Sequence, residues 1–345
     1  MPLSRIAVGA DIGHSSVKIA ANHLAETAQV LVTQFPTVVR DHITLSNPAS
    51  AKQAEQDTVA VDGRRYFIGR TAMLQGRAED FTGQDRNWIN SHQHDALILG
   101  AWDKAKTLFN ASHGDNAFQS AQEISFCLGL PSSYFLQQKD QLRIRTLRLI
   151  EPRLSPGQQL RVMIQSQSMA PLLNISLDSS GLATGDINEF DAWGAIEIGH
   201  FTTDFNFQDR GQEIEITGGS ASGVTMIYER VKAAFKQRGY LYDLETLSQA
   251  IATRAVIDYG KSVSVKDIVD PAIEEFGTYI KEEAGRRFNS SARRMNGIVI
   301  AGGGADIHGI GDVLKSMYGN TRILDNPRFS VANGLCRLGL AVLRG

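Results

Sequence analysis

The sequence predicts an α/β protein built from two related domains, and three observations predict it. A chain of 345 residues suits about two domains at roughly 100–200 residues each. Short apolar strand-like runs alternate with longer helical stretches in both halves. Most tellingly, one pattern occurs near the start of each half. Asp11-Ile-Gly-His-Ser-Ser-Val-Lys is echoed 186 positions later by Glu197-Ile-Gly-His-Phe-Thr-Thr-Asp.

The elements follow in order. Ile6-Ala-Val-Gly-Ala reads as a buried strand, a Gly-Ser turn follows it, and Val17-Lys-Ile-Ala-Ala returns as a second strand. Val59-Ala-Val, Asp62-Gly63 and Tyr66-Phe-Ile form a hairpin, the Asp-Gly pair accepting the positive φ of a tight turn. Ile89 to Phe109 has helical spacing and few breakers. Ile124-Ser-Phe-Cys-Leu-Gly-Leu is a strand stopped by Pro131, after which Ser132 or Ser133 caps a segment running through Gln141. Residues 152–157 and 178–185 are the most loop-like stretches between the halves. Strands resume at Trp193–Ile198, Asp204–Phe207 and Glu213–Thr217, followed by helices at Ser222–Arg238 and Asp243–Ala252. A long helix is expected from about Asp270 to Arg294, with Pro271 near its start. Ile298-Val-Ile-Ala is a buried strand whose Gly302-Gly303-Gly304 turn leads to a helix near Ile310–Tyr318.

Composition narrows the function. Lys plus Arg number 35 against 37 Asp plus Glu, so the formal net charge is −2, which argues against a protein that coats DNA through its phosphates. Cys127 and Cys336 belong to no CxxC pair and read as free buried thiols of a reducing compartment. The N-terminus reaches Asp11 before a signal-peptide core is complete, and no run of about 18 apolar residues occurs. The expectation is a cytoplasmic protein with no membrane partner.

The repeated hairpin has the chemistry of a phosphate site. Glycine lets backbone N–H groups turn toward an anion, and Ser or Thr hydroxyls add donors. Lys18 can bring positive charge to terminal phosphates, and Asp11 or Glu197 can hold Mg²⁺ through its water shell. A single hairpin of this kind is ordinary turn composition; two copies opening two halves are not. Rival nucleotide motifs fail. Gly302-Gly303-Gly304-Ala305 lacks the last glycine of a dinucleotide fingerprint, since position 307 is Ile. Gly260-Lys261-Ser262 imitates the end of a P-loop, but Ala255 stands where the earlier glycine is required.

These residues resemble the actin / sugar-kinase / DnaK-type ATPase superfamily, and within it the bacterial actin-like plasmid-segregation proteins of the ParM/StbA type. Asp11 to Lys18 is similar to the family's first phosphate loop and Glu197 to Asp204 to its second. Ile300-Ala-Gly-Gly-Gly-Ala-Asp resembles the adenosine motif, and Val331-Ala-Asn-Gly-Leu the second connecting segment. Val61-Asp-Gly-Arg-Arg-Tyr-Phe-Ile-Gly and Gly129-Leu-Pro-Ser-Ser-Tyr-Phe are similar to ParM-like segments.

The resemblance implies an actin-like ATPase fold, two ribonuclease-H-like domains around a nucleotide cleft. It places domain I at 1–175 with a C-terminal return over 328–345, and domain II at 176–327. ATP and Mg²⁺ are the implied cofactors, with Asp11 and Glu197 at the metal. Gly13, His14, Ser15, Ser16 and Lys18 would contact the nucleotide from one side. Gly199, His200, Phe201 and Thr202 would do so from the other, with Gly218 and Gly219 beside it and Gly302, Gly303 and Gly304 at the adenosine. Val162-Met-Ile-Gln-Ser resembles the segment carrying the water-positioning residue, which makes Gln165 the catalytic candidate beside Asp11 and Glu197; Gln167 is the near-equivalent alternative. The chain departs from the pattern in having Glu197 where Asp is usual, and histidine at both loop tips.

The implied activity is slow ATP hydrolysis coupled to head-to-tail polymerisation. The implied task is moving plasmid DNA, contacted indirectly through a centromere-binding adaptor of ParR type. A small-molecule kinase and a non-polymerising actin-like scaffold are the rivals. Two further features are expected to be ordinary surface. His92 and His94, two apart on a helix, point away from each other, and Arg286, Arg287, Arg293 and Arg294 form one solvated basic face, a protomer contact or acidic partner being the sharper reading.

Overall fold

A computed structural model describes residues 5–24, 30–76, 88–188, 190–214, 218–288, 291–316 and 318–345, and all structural statements here refer to those residues. The chain divides into two units, Met1–Asp186 with Val331–Gly345, and Ile187–Ser330. The expected boundaries stood at 175/176 and 327/328.

The first unit runs β1 (Arg5–Ile12), β2 (Ser16–His23), β3 (Leu31–Pro36), β4 (Val39–Asp41), α1 (Pro48–Ala54), β5 (Thr58–Val61), β6 (Arg64–Ile68) and α2 (Gly69–Leu74). It continues with α3 (His92–His113), β7 (Glu123–Leu130), α4 (Phe135–Ile150), β8 (Gln159–Ser166) and α5 (Ala170–Ser176). The second unit holds β9 (Ala192–Ile198), β10 (Thr202–Asp209), β11 (Gln212–Glu213), β12 (Gly219–Ser222), α6 (Thr225–Arg238) and α7 (Leu244–Thr253). After these come β13 (Ala255–Asp258), β14 (Lys261–Ser264), α8 (Lys266–Phe288), β15 (Gly297–Ala301), α9 (Ile310–Lys315) and β16 (Thr321–Ile323). Helix α10 (Ser330–Arg344) then returns the chain to the first unit.

The two main sheets share one plan. In the first unit the order is β3-β2-β1-β7-β8, with an antiparallel trio followed by two strands parallel to β1. In the second it is β11-β10-β9-β15-β16, with β12 also on β10, and again the last two strands run parallel to β9. Strand β1 shows why such a sheet buries both faces. Ile6, Val8 and Ala10 join the core under α3, while Ala7 faces Cys336 and Leu340 of α10. Gly9 lets α10 lie directly on the strand. A Cβ there would overlap Ala332 O and sit 2.5 Å from the Cys336 amide. In the second unit α6 and α8 pack Ile227, Val231, Phe276 and Ile280 against Phe205, Phe207, Ile196 and Ile298.

Several expected elements shift. Helix α8 begins at Lys266, so Pro271 lies inside it, and it ends at Phe288 rather than Arg294. The alternating Ser262-Val-Ser-Val reads as strand up to the start of the helix, which hides that start. Proline so early in a helix forfeits only one backbone bond. Ser222 ends strand β12 instead of opening a helix, because Gly219–Ser222 pairs with β10 along its length. Of the strand expected at Glu213–Thr217, only Glu213 lies in a paired strand, as the end of β11, and residues 215–217 lie outside the described residues. Helix α9 is shorter than expected, stopping at Lys315. Both cysteines are free and buried. Among the described residues, no helix is long and apolar enough to cross a membrane.

Candidate functional site

The internal echo has one geometry in both units. Asp11 pairs across the hairpin with Lys18, and Glu197 pairs across its own with Asp204, the same offset along the chain. At the first turn, a Cβ on Gly13 would lie 3.1 Å from Ser16 O; at the second, one on Gly199 would lie 2.8 Å from Thr202 O. Each turn is therefore tight enough to want glycine for steric reasons alone, and each carbonyl–amide loop is held by a different support. Thr37, fully buried, donates its hydroxyl to Gly13 O at 2.6 Å and its amide to Ser15 O at 3.2 Å. In the second unit, Val224 and Thr225 amides at the start of α6 reach Gly199 O and His200 O at 3.1 and 2.8 Å. Gly223 makes that approach possible. A Cβ there would sit 2.6 Å from Gly199 O and Thr202 N and 2.7 Å from His200 O. The sequence reading passed over both Thr37 and Gly223, since neither lies in the repeated pattern.

In the first hairpin the carboxylate is fully engaged. Asp11 is 3% exposed; Lys18 Nζ donates to its Oδ2 at 2.9 Å, and Gln167 Nε2 donates to its Oδ1 at 2.8 Å. Gln165 is not there. It sits on β8 opposite Gly129, and its Oε1 accepts the Ser166 amide at 2.8 Å. His14 and Ser15 are exposed at the turn, and Ser16 opens β2. His14 meets the edge of Trp88 at 6.1 Å between ring centroids, and Trp88 in turn meets His94 at 5.6 Å.

His94 is buried on α3, and its pKa is pushed down to about 3, first by desolvation and then by the Arg145 guanidinium. Folded, it stays neutral; unfolded, it takes up a proton near its ordinary 6.5. Stability from this group is complete above pH 6.5 and declines below it at up to about 1.4 kcal/mol per pH unit until pH 3 is neared. Accordingly, His94→Leu should flatten the acid limb of a stability–pH profile between pH 6.5 and 4. An unchanged limb would mean that other groups govern acid unfolding. His92, two residues earlier, stands apart beside Asp62 at 3.6 Å.

The second unit gathers the remaining candidates. His200 lies against Phe201 and Tyr228, and burial lowers its pKa. Phe201 is partly exposed, and Thr202 Oγ1 donates to Asp204 Oδ2 at 3.2 Å. The glycine turn after β15 meets this hairpin. Gly302 has φ +86°, and a Cβ on it would lie 2.6 Å from Glu197 Oε1. A Cβ on Gly304 would overlap Ile198 and sit 2.7 Å from Val224. Packing inside the unit accounts for both. Gly303 differs, for its added Cβ would meet only Arg328, at 3.8 Å. Arg328 pairs with Asp306 at 3.2 Å, framing an open stretch of backbone with a cation and an anion that the sequence reading had not singled out.

Gly218 and Gly219 are tied down by a residue expected to be solvated. Arg287 stacks over the Phe205 ring at 4.9 Å and donates to Gly218 O at 3.1 Å and Ser220 O at 3.0 Å. Gly219, at φ +129°, leaves room for that guanidinium. Arg294 instead pairs with Asp209 at 3.2 Å, and Arg286 with Glu283 at 2.9 Å. Arg287 thus leaves the solvated face expected of the four, while Arg286 and Arg294 stay mostly exposed.

The donor set suits a nucleotide with Mg²⁺. Among the described residues, no three or more His, Cys, Asp or Glu side chains cluster as a metal cage. Mg²⁺ keeps much of its water shell and needs only one or two carboxylates beside phosphate oxygens, and each hairpin carries one, Asp11 in the first unit and Glu197 in the second.

The family Actin like proteins N terminal domain matches residues 9–171, and Archaeal actin homologue MreB-like, C-terminal, matches residues 195–315. No curated protein sequence matches the chain. Among solved structures, the archaeal actin homolog Ta0583 in complex with ADP is 16% identical, with 98% of this chain and 99% of that chain covered and a TM-score of 0.67. A 15-stranded ParM filament from Clostridium botulinum is 19% identical, with 97% and 99% covered and a TM-score of 0.66. Bacillus thuringiensis ParM with ATP is 15% identical, with 99% of each chain covered and a TM-score of 0.63. At these identities the structural likeness establishes the fold, and the two family matches together span most of the sequence. The chain belongs to the actin-like proteins, with an actin-like N-terminal domain followed by an MreB-like C-terminal one.

Proposed function

We propose that the chain is an ATP-dependent filament protein of the ParM type that hydrolyses ATP slowly and moves plasmid DNA through a ParR-like adaptor. The observation that carries the nucleotide reading is the pair of hairpins with carboxylate, glycine and cross-strand partner in identical register. The ATP and ADP complexes of two structural relatives support it, and the Clostridium botulinum ParM filament supports assembly. The near-neutral net charge supports reaching DNA through an adaptor.

In this reading, backbone amides of Gly13–Ser16 and Gly199–Thr202 receive phosphate oxygens. Gly303 and the Arg328–Asp306 pair flank the adenosine. Asp11 and Glu197 would hold Mg²⁺ through water, and the ion there would supply positive charge for the phosphoryl transfer. Gln167 is the better candidate for orienting the attacking water, because its amide already rests on Asp11, whereas the Gln165 carbonyl is occupied by the chain. An amide orients water without acting as a strong base, which suits slow turnover. Gln167→Ala should therefore slow phosphate release about 10²-fold or more while sparing ATP affinity, and Gln165→Ala should leave both near the parent values. The reverse ranking would return the role to Gln165.

Light scattering and pelleting with ATP and Mg²⁺, followed alongside phosphate release, test the whole reading. Sedimentable polymer that dissolves as phosphate appears is the expected result. Phosphate transfer to an added small-molecule acceptor, without polymer, would point to a kinase instead. Adding a purified centromere-binding adaptor with its DNA to the polymer tests the segregation task.

A further inference from the structure

Beyond strand β7 the segment Gly129-Leu-Pro-Ser-Ser-Tyr-Phe turns sharply. The Pro131 ring holds φ at −53°, and the Pro131 carbonyl accepts the Tyr134 amide at 3.0 Å, so Ser132 comes round beside the end of β8. The register there is fixed, with Gly129 opposite Gln165 and Leu130 opposite Ser166. One further backbone bond, from the Gln167 amide to Leu130 O at 2.9 Å, extends the pairing a residue past β8. Three hydroxyls meet at that point. Ser132 Oγ lies 2.6 Å from Ser166 Oγ and in close contact with Ser168 Oγ, and the last two are 3.1 Å apart.

Ser166 and Ser168 are buried, each 1% exposed. A hydroxyl donates one hydrogen bond and accepts up to two, so three in mutual contact form a ring in which every O–H donates and every oxygen accepts. Breaking the ring strands a buried polar group, which is costly, and that cost holds the three oxygens together. Gln167 is the residue between the two buried serines. Its backbone is tied to Leu130, and both of its neighbours are tied to Ser132. Its side chain passes Gly129, where an added Cβ would lie 2.8 Å from Gln167 Cγ, and it ends with Nε2 donating to Asp11 Oδ1 at 2.8 Å. A free glutamine side chain samples many rotamers. Here the backbone beneath it, the strand beside it and the carboxylate at its end are all fixed.

We propose that the Ser132–Ser166–Ser168 ring holds Gln167 in place for hydrolysis, with Ser132 the positioning residue that fastens the turn after β7 to the turn after β8. The proposal deepens the hydrolysis reading above and rests on it, because it assigns a support to the side chain that orients water there. A displacement of about 1 Å in such a group can cost about 10²-fold in rate. Ser132 therefore acts on turnover and leaves ATP affinity alone.

Phosphate release with ATP and Mg²⁺ tests this in Ser132→Ala, which should be slowed about tenfold or more at unchanged ATP affinity. Ser132→Thr keeps the hydroxyl and should keep the turnover. Because Ser132 acts through Gln167, Ser132→Ala should add nothing in a Gln167→Ala background. The side-chain amide resonance of Gln167, assigned by its disappearance in Gln167→Ala, reads the contact with Asp11 without nucleotide. It should move toward the position of a free glutamine in Ser132→Ala. Ser168→Ala should give the same resonance shift and the same slowing, and it serves if Ser132→Ala folds poorly. An unmoved resonance would overturn the positioning role and leave the Gln167 reading standing. So would parental turnover in Ser132→Ala while Gln167→Ala is slow, or a loss that adds to that of Gln167→Ala. Parental phosphate release in Gln167→Ala, or none in the parent protein, would overturn the hydrolysis reading and the positioning role together.

Discussion

Asp11→Ala is expected to destabilise the first unit by about 3–5 kcal/mol, the usual result of stranding one member of a buried ion pair. The Asp11 and Lys18 side chains are 5% and 11% exposed, and the carboxylate also receives Gln167. Its removal leaves an ammonium group with its nearest counter-charge gone and an amide donor without its acceptor. Denaturant unfolding measures the loss. The double variant Asp11→Ala/Lys18→Met should recover most of it, since deleting both partners removes the uncompensated charge. Phosphate release should stay abolished in the double variant. Recovery of stability without recovery of turnover separates the structural task of Asp11 from its proposed metal task; a single variant as stable as the parent would mean that solvent screens the pair.

Gly223→Ala should have the next largest effect. One methyl group there meets three backbone atoms of the second phosphate hairpin at 2.6–2.7 Å, and backbone cannot rotate out of the way as a side chain can. Either α6 backs off its two hydrogen bonds to Gly199 O and His200 O or the turn opens. Overpacking of this type costs about 1–3 kcal/mol, and a displaced turn should weaken ATP binding at least about tenfold. Gly285→Ala provides the contrast. An added Cβ there meets nothing within 4 Å, so replacing this helical glycine should stabilise α8 by about 0.5–1 kcal/mol. Equal behaviour of the two substitutions would contradict the steric account.

Much of this was legible in the sequence because the informative features are local. The hairpin echo shows the doubled sheet plan, since carboxylate, Ile and Gly recur with the same spacing to the returning strand. Helix α3 was expected at Ile89–Phe109 and runs His92–His113, its start set by Ser91 accepting the His94 amide. What escaped depends on contacts distant in the chain. Arg287 looks like one of four surface cations until Phe205 and the Gly218 carbonyl are brought beneath it. Gly223 looks like a linker residue until α6 is laid on the turn. Gln165, in β8, and Gln167, just past its end, are two residues apart, so only the partner each meets, Ser166 or Asp11, tells them apart. At the second loop tip, burial beside Tyr228 disfavours the charged form of His200, a contact that loop spacing does not show.

The proposal that both hairpins serve a single nucleotide is tested by titration calorimetry with ATP and Mg²⁺. One ATP per chain is expected, with binding weakened severely by Gly13→Val in the first hairpin and equally by Gly199→Val in the second. Two ATP per chain, or one ATP bound with unchanged affinity after either hairpin is disrupted, would contradict it.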